Sequence, residues 1–214
     1  MSTDQPTVHV LDDDQAVREA LEFLIQTVGL AVKTYSTPTQ FFAEFDAETV
    51  GCLIVDIRMP VMSGLQVQTE LKTRGMDLPI IMMTGHGDVE LCRRAFLNGA
   101  VEFLLKPIDD QQLLDALQKA VRQHIQTREK LAVTQQAASL LEKLSPREKE
   151  VLDGMLEGYS SKQVAKALGL SPRTVETHRA HIMEKLQVNS LAQLIRLYFH
   201  GLHGSGQHQN GQHP

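Results

Sequence analysis

Four apolar stretches in the first half of the chain end in residues that do chemistry. VHVL runs into Asp12, Asp13 and Asp14, and CLIV ends at Asp56. PIIMM ends at Thr84, ahead of Gly85-His86-Gly87, and VEFLL ends at Lys106-Pro107. If these stretches are neighbouring strands, their ends place three carboxylates, one hydroxyl and one ammonium on one edge. Clustered carboxylates repel and raise one another's proton affinity unless a cation sits among them. A hard divalent ion with oxygen ligands suits them, and Mg²⁺ is the expected one. With the metal and Lys106 neutralising phosphoryl oxygens, and Thr84 donating a hydrogen bond, one aspartate can serve as the nucleophile in phosphoryl transfer to a carboxylate. Asp14 is read differently, as the cap of the helix that follows it. His86 is read as a loop residue, not a catalytic base. An X-Pro bond at Lys106-Pro107 is a candidate cis bond that would aim the lysine back over the edge. No stretch matches a GxxxxGK nucleotide loop, so a bound ATP is not indicated.

The elements that must position these groups alternate two periods. Strand-length apolar stretches occur at Thr7–Leu11, Leu30–Tyr35, Cys52–Val55, Pro79–Met83 and Val101–Leu105. Between them the spacing is helical: Ala16, Val17, Ala20, Leu21, Leu24, Ile25 and Val28 share one helix face. Thr37-Pro38-Thr39-Gln40 has an N-cap, a proline at the first helical position and a capping Gln. Short, nearly all-apolar strands alternating with helices imply a parallel sheet covered on both faces, with ligands beyond the carboxyl ends of the strands.

Asp12-Asp13, Asp56 in VDIRMPVMSG, Thr84 in MTGHG and Lys106-Pro107, in that order, resemble the receiver domain of bacterial two-component response regulators. The resemblance covers residues 5–124 and implies a flavodoxin-like fold with strand order 2-1-3-4-5. It implies that Asp56 is the phospho-acceptor and that Asp13 binds Mg²⁺ directly with Asp12 in support. Asp56 and the backbone carbonyl of Arg58 complete the protein ligands. Thr84 and Lys106 would contact the phosphoryl group. The family's aromatic switch position, three residues before the lysine, is Phe103 here, which has no hydroxyl to donate, so any switching there rests on packing. An ordinary core Phe is the competing reading.

From about Leu113 to Leu144 glycine and proline vanish, and residues 125–143 read as a helical linker continuing the fifth helix. No heptad is sustained there. Residues 144–202 carry no strand-like stretch but clear helix punctuation. Ser145-Pro146-Arg147-Glu148, Ser160-Ser161-Lys162-Gln163, Ser171-Pro172 and Ser190-Leu191-Ala192-Gln193 each open a helix, and Gly158 and Gly169 close two. The result is an all-α module of four short helices, followed by a low-complexity tail, 203–214, expected to be disordered. Ser160–Leu168, the turn Gly169-Leu170-Ser171 and Pro172–Leu186 have the form of a helix-turn-helix. Val175, Ile182 and Leu186 mark its buried stripe. Arg173, Thr174, Glu176, Thr177, Ala180, His181 and Glu184 lie opposite, with side chains small enough at Thr177 and Ala180 to enter a major groove. Lys162, Arg173, Arg179 and Lys185 are expected at phosphates, which orient without specifying. A generic helical module docking onto protein is the alternative on pattern alone. LSPREKEVLDGMLEGYSSKQVAKALGLSPRTVETHRAHIMEKL resembles the LuxR-type helix-turn-helix domain over residues 140–202, which implies DNA binding. Several relatives carry lysine where this chain has Glu176, so the recognised sequence stays open. The two modules together, with DIRMP and TGHGD, are most similar to the FixJ branch of response regulators.

The whole-chain composition agrees with two modules. The chain has 214 residues, 42% apolar and 22% charged, so wholesale disorder is excluded. Residues 1–124 hold 18 acidic and 10 basic residues, and the remainder 8 and 11. No stretch approaches the ~20 apolar residues of a membrane span. MSTDQPTVHV lacks a secretory pattern, and Cys52 and Cys92 form no CxxC, so a reduced, cytoplasmic protein without a disulfide framework is expected. The combined expectation is a phosphorylation-controlled transcription regulator, and an activator at that. A sensor histidine kinase phosphorylates Asp56, the protein dimerises, and the dimer binds double-stranded promoter DNA and engages RNA polymerase. A receiver face including Arg93, Arg94, Asp109 and Asp110 is expected to pair between copies, and catalysis is limited to slow autodephosphorylation. Two rivals stay open: a Mg²⁺-dependent phosphatase with an Asp nucleophile, which here lacks a second acid two residues on because Arg58 stands there, and a DNA-binding protein whose receiver is only a scaffold.

Overall fold

In a computed structural model, residues 5–85, 87 and 89–205 are described. His86, and the tail beyond residue 205, lie outside the described residues. The chain divides into two compact units, residues 1–127 and 128–214.

The first unit is a five-stranded parallel sheet in the order β2-β1-β3-β4-β5. Its strands are β1 (Thr7–Leu11), β2 (Ala31–Tyr35), β3 (Gly51–Asp56), β4 (Ile80–Thr84) and β5 (Glu102–Leu105). The helices that cross over between strands are α1 (Gln15–Thr27), α2 (Pro38–Glu44), α3 (Gly64–Thr73) and α4 (Val89–Leu97), and α5 (Asp110–Glu142) follows β5. Every residue of β1, β3 and β4 is buried, whereas β2 and β5 are partly exposed. That contrast is what a sheet covered on both faces produces between its centre and its edges. Leu21 and Ile25 of α1 pack with Leu113 and Leu117 of α5 on one face. Phe41, Leu65, Leu71 and Ala95, from α2, α3 and α4, cover the other.

Local chemistry sets the helix starts. Asp14 accepts from Ala16 N–H at 2.8 Å and caps α1. Thr37 caps α2 by accepting from Gln40 N–H at 3.2 Å. The reciprocal arm of that box goes elsewhere, since Gln40 Oε1 accepts from Ser36 N–H at 3.2 Å and not from Thr37. α5 is unbroken from Asp110 to Glu142, so the stretch read as a linker has no interruption.

In the second unit, α6 (Pro146–Leu156), α7 (Ser161–Leu168), α8 (Pro172–Lys185) and α9 (Leu191–Ser205) pack about Val151, Leu152, Val164, Val175, Ile182 and Leu194, joined by Leu140 and Leu141 of α5. Ser145/Glu148 and Ser160/Gln163 both form capping boxes. Gly169 sits at φ 66° and ψ 32°, the left-handed conformation in which Cβ-bearing residues are strained, and it turns the chain between α7 and α8. α9 runs three residues past the expected end of the module at 202.

Candidate functional site

The sheet register assembles the first site. Leu11 pairs with Val55, Asp56 with Met83, and Thr84 with Leu105. The residues that follow β1 and β5, and the last residues of β3 and β4, therefore meet at one edge. The Lys106 ammonium is 2.6 Å from Asp12 Oδ2 and 3.0 Å from Asp56 Oδ1. Two carboxylates 44 positions apart in the chain thus meet at one cation. Asp12 and Asp56 are 1% and 6% exposed, and Thr84 is fully buried.

Backbone groups fix the carboxylates. Asp12 Oδ1 accepts from Asp14 N–H at 2.9 Å, and Arg18 holds the Asp12 carbonyl at 2.8 Å. Asp56 Oδ2 accepts from Arg58 N–H at 2.9 Å. The Lys106–Pro107 bond is cis.

Electrostatics follows from this geometry. Burial pushes the Asp56 carboxyl above its ordinary value and Asp12 adds to the rise, while hydrogen bonds from Lys106 and Arg58 oppose it. Burial pulls the Lys106 ammonium down from its ordinary value, but the hydrogen bonds to Asp12 and Asp56 and their negative charge together outweigh it and raise it.

Asp13 stands apart from this contact. It is exposed and lines an open cleft of about 840 Å³ together with Arg58, Met59, Thr69, Arg94 and Asn98. Among the described residues no three His, Cys, Asp or Glu side chains are drawn into a finished metal cluster. The donor chemistry still fits a hard divalent cation. Asp12, Asp13 and Asp56 offer only oxygen, and against Lys106 they leave two formal negative charges. Phe103 is half-buried and packs against the α2–α3–α4 core.

Sequence reasoning missed Gly64. A Cβ there would stand 2.5 Å from the Asp56 carbonyl oxygen, so only glycine lets α3 begin against the Asp56–Ile57 backbone. Gly64 N–H also donates to the Ile57 carbonyl at 3.0 Å. Its neighbour Ser63, the capping residue of α3, does not signal that need, which is set by the backbone at the end of β3.

In the second unit Val175, Ile182 and Leu186 are buried, as their spacing implied. Lys162, Arg173, Thr174, Glu176, Thr177, Ala180 and His181 are exposed. Arg179 is half-buried, with a 3.5 Å contact to the Tyr159 carbonyl. Thr177 donates its hydroxyl to the Arg173 carbonyl at 3.1 Å, so the hydroxyl is engaged inside the helix. The Lys185 side chain is 42% exposed, and its ammonium lies 2.7 Å from Oε2 of Glu148, a buried carboxylate that is thereby paired with a cation.

Two family models match the chain. The response regulator receiver domain matches residues 8–118, and the luxR family of bacterial regulatory proteins matches residues 142–198. The chain is 39% identical to the transcriptional regulatory protein FixJ of Bradyrhizobium diazoefficiens, over 89% of this chain and 93% of that one. It is 41% identical to the response regulator protein TodT of Pseudomonas putida, over 92% and 87%. Among solved structures it is similar to the response regulator StyR, with a TM-score of 0.86, 39% identity and coverage of 91% and 98%.

Proposed function

Because the chain belongs to the two-component response regulators that join a receiver to a LuxR-type DNA-binding domain, we propose that Asp56 is its phospho-acceptor and that phosphorylation there drives dimerisation and sequence-specific DNA binding. The single observation that carries this reading is the Lys106 ammonium lying between Asp12 and Asp56. It supports a site in which the acceptor carboxylate is buried, held by a backbone N–H and balanced by a positive charge.

The donor is a phosphohistidine on a sensor kinase. Its N–P bond breaks as an Asp56 oxygen forms the new P–O bond. Lys106 meets the added negative charge from the β5 side, and Thr84, at the end of β4, completes the phosphoryl contacts. Mg²⁺ would be held by Asp12, Asp13, Asp56 and the Arg58 carbonyl, and would supply positive charge to neutralise phosphoryl oxygens. No step beyond slow autodephosphorylation is assigned to the protein. Phe103, lacking a hydroxyl, contributes to switching only through packing.

In the DNA-binding module α8 is the recognition helix. Thr174, Glu176, Thr177, Ala180 and His181 face the bases, and Lys162, Arg173 and Arg179 face phosphates. Two such modules meet half-sites about one helical turn, ~34–36 Å, apart. The dimer acts at promoters as an activator that engages RNA polymerase, in the cytoplasm. No helix among the described residues is long and apolar enough to cross a membrane.

The decisive experiment is Asp56→Asn with acetyl phosphate and Mg²⁺. The variant should take up no label while the wild type is labelled and shifts to a dimer. A labelled variant would overturn the acceptor assignment, and a labelled wild type that stays monomeric would remove the dimerisation step.

A further inference from the structure

The opening of α6 does more than cap its own helix. Glu148 Oε2 accepts from Ser145 N–H at 2.8 Å, from Ser145 Oγ at 2.9 Å and from Lys185 Nζ at 2.7 Å. The first contact is one arm of the capping box, whose other arm is the Glu148 N–H donating to Ser145 Oγ at 3.3 Å. The third reaches the last residue of α8. The neighbouring residue reaches the other helix of the pair: Arg147 Nη2 donates at 2.7 Å to the carbonyl of Leu168, the last residue of α7. Two adjacent side chains therefore grip the carboxyl ends of both helices of the helix-turn-helix.

We propose that Arg147 and Glu148 brace the helix-turn-helix, and that Lys185 is a positioning residue for DNA recognition and not a phosphate contact. The inference rests on the DNA-binding reading above and deepens it. Three physical points carry it. Glu148 is 4% exposed, and a carboxylate that buried keeps its cation, because removing one partner of a buried pair leaves an uncompensated charge. The last carbonyls of a helix have no partner within it, so Arg147 satisfies a group at the end of α7 that would otherwise need water. The ammonium also lies at the carboxyl end of α8, where the helix dipole favours positive charge.

The brace matters because it acts through a lever. Thr177 lies about 12 Å along α8 from Lys185, at ~1.5 Å per residue. A tilt of ~5° at the brace would shift Thr177 by about 1 Å, and a base-edge hydrogen bond weakens steeply when its geometry is lost. Charge attraction to phosphates varies only as 1/r and so tolerates such a shift better, and it carries no sequence information. Loosening the brace should therefore erode specificity more than affinity for DNA in general.

The test uses the full-length protein treated with acetyl phosphate and Mg²⁺. One probe is the duplex it recovers from a random-sequence pool, and the other is a scrambled duplex of equal length. Glu148→Gln keeps the capping geometry but removes the ionised partner. It should lower affinity for the selected duplex about tenfold, the scale of one lost base contact, and leave the scrambled duplex and the salt slope unchanged. Lys185→Gln should give the same result, the double variant should be no worse than either single variant, and Lys185→Arg should restore the wild-type ratio. Arg147→Gln should lower that ratio too, and an unchanged ratio would remove Arg147 from the brace.

A phosphate contact gives the opposite pattern. Lys185→Gln would then weaken both duplexes equally and reduce the salt slope by about 0.9, while Glu148→Gln, by freeing the ammonium, would leave binding intact or strengthen it. That result overturns the proposal. Both the affinity ratio and the slope are unaffected by an unfolded fraction, and Lys185→Arg supplies a variant that keeps the ion pair. If the wild type recovers no duplex at all, the DNA-binding reading itself fails.

Discussion

Lys106→Met replaces the ammonium between Asp12 and Asp56 with an apolar group of similar length. Both carboxylates are buried, at 1% and 6% exposed, so neither can turn to water for compensation. Removing one partner of a buried pair costs about 3–5 kcal/mol, and because the lysine side chain is itself 24% exposed the lower end, about 3 kcal/mol, is expected at neutral pH. For a unit of this size that is a fall in melting temperature of about 10 °C. The sign of the pH dependence follows from linkage. Burial already raises the Asp56 carboxyl against the opposing pull of Lys106; with the lysine gone, folded Asp56 binds a proton more tightly than unfolded Asp56 does, so the folded state takes up a proton and the variant loses stability as pH rises. Calorimetry of the full-length variant should show a large loss at about pH 7.5 and a clearly smaller one at about pH 5.5, whereas the wild type, with Lys106 in place, should change less over the same interval. Mg²⁺ at ten times its Kd should return about 1.4 kcal/mol to the variant, by mass action on the folded state. A loss below about 1 kcal/mol, or an equal loss at both pH values, would refute the claim that Lys106 compensates two buried carboxylates. Absence of any Mg²⁺ effect would refute the cation site.

Two further outcomes test the supports of each module. Gly64→Ala puts a Cβ against the Asp56 carbonyl at 2.5 Å, so the start of α3 or the loop after β3 must give way. It should destabilise the receiver by about 1–3 kcal/mol in chemical denaturation and slow labelling of Asp56, and unchanged labelling kinetics would show that the loop does not position the acceptor. Substitutions at Thr177 and Ala180 should change the sequence recovered from a random DNA pool, whereas Arg179→Ala should weaken binding to all sequences alike. An altered preference in Arg179→Ala would move that residue among the base-reading contacts.

What the sequence could say depended on how local the physics was. The strands were legible because β1, β3 and β4 are buried on both faces and read as unbroken apolar runs. The caps were legible because Ser145, Ser160 and Ser171 act on backbone groups only three residues away. The candidate site residues were legible because Asp56 and Thr84 end strands and Asp12, Asp13 and Lys106 directly follow them, and a parallel sheet must bring strand ends to one edge. Long-range pairings were not. Lys185 and Glu148 lie 37 residues apart, and nothing in the spacing of α8 distinguishes a lysine facing DNA from one facing a buried carboxylate. The arm of Gln40 that reaches Ser36 in place of Thr37 depends on side-chain torsions that the motif S/T-x-x-E/Q does not encode. Gly64 was hidden for a related reason: its need is set by the backbone of another element, not by its neighbours.

The same geometry limits how much of the switch can be local. To turn an almost-off population into an almost-on one, phosphorylation must favour the active state by about 5.5 kcal/mol. A charge-assisted hydrogen bond contributes about 1.5–3 kcal/mol. Lys106 already holds the Asp56 carboxylate at 3.0 Å before any phosphoryl group arrives, so its contact is strengthened and not created. On the proposed reading the new contact is the one from Thr84, and Phe103 adds no hydrogen bond. The local gain therefore falls short, and the remainder has to come from a second event that only the phosphorylated protein undergoes. Association of two receivers is such an event, and its contribution depends on concentration. Dilution should thus separate the two contributions. Fully labelled protein held well below its dimer dissociation constant should bind single half-site DNA little better than unlabelled protein, and cooperative binding to paired half-sites should appear only as concentration rises through that constant. Full DNA affinity in a labelled monomer would show that the phosphoryl contacts suffice alone and would refute this partition.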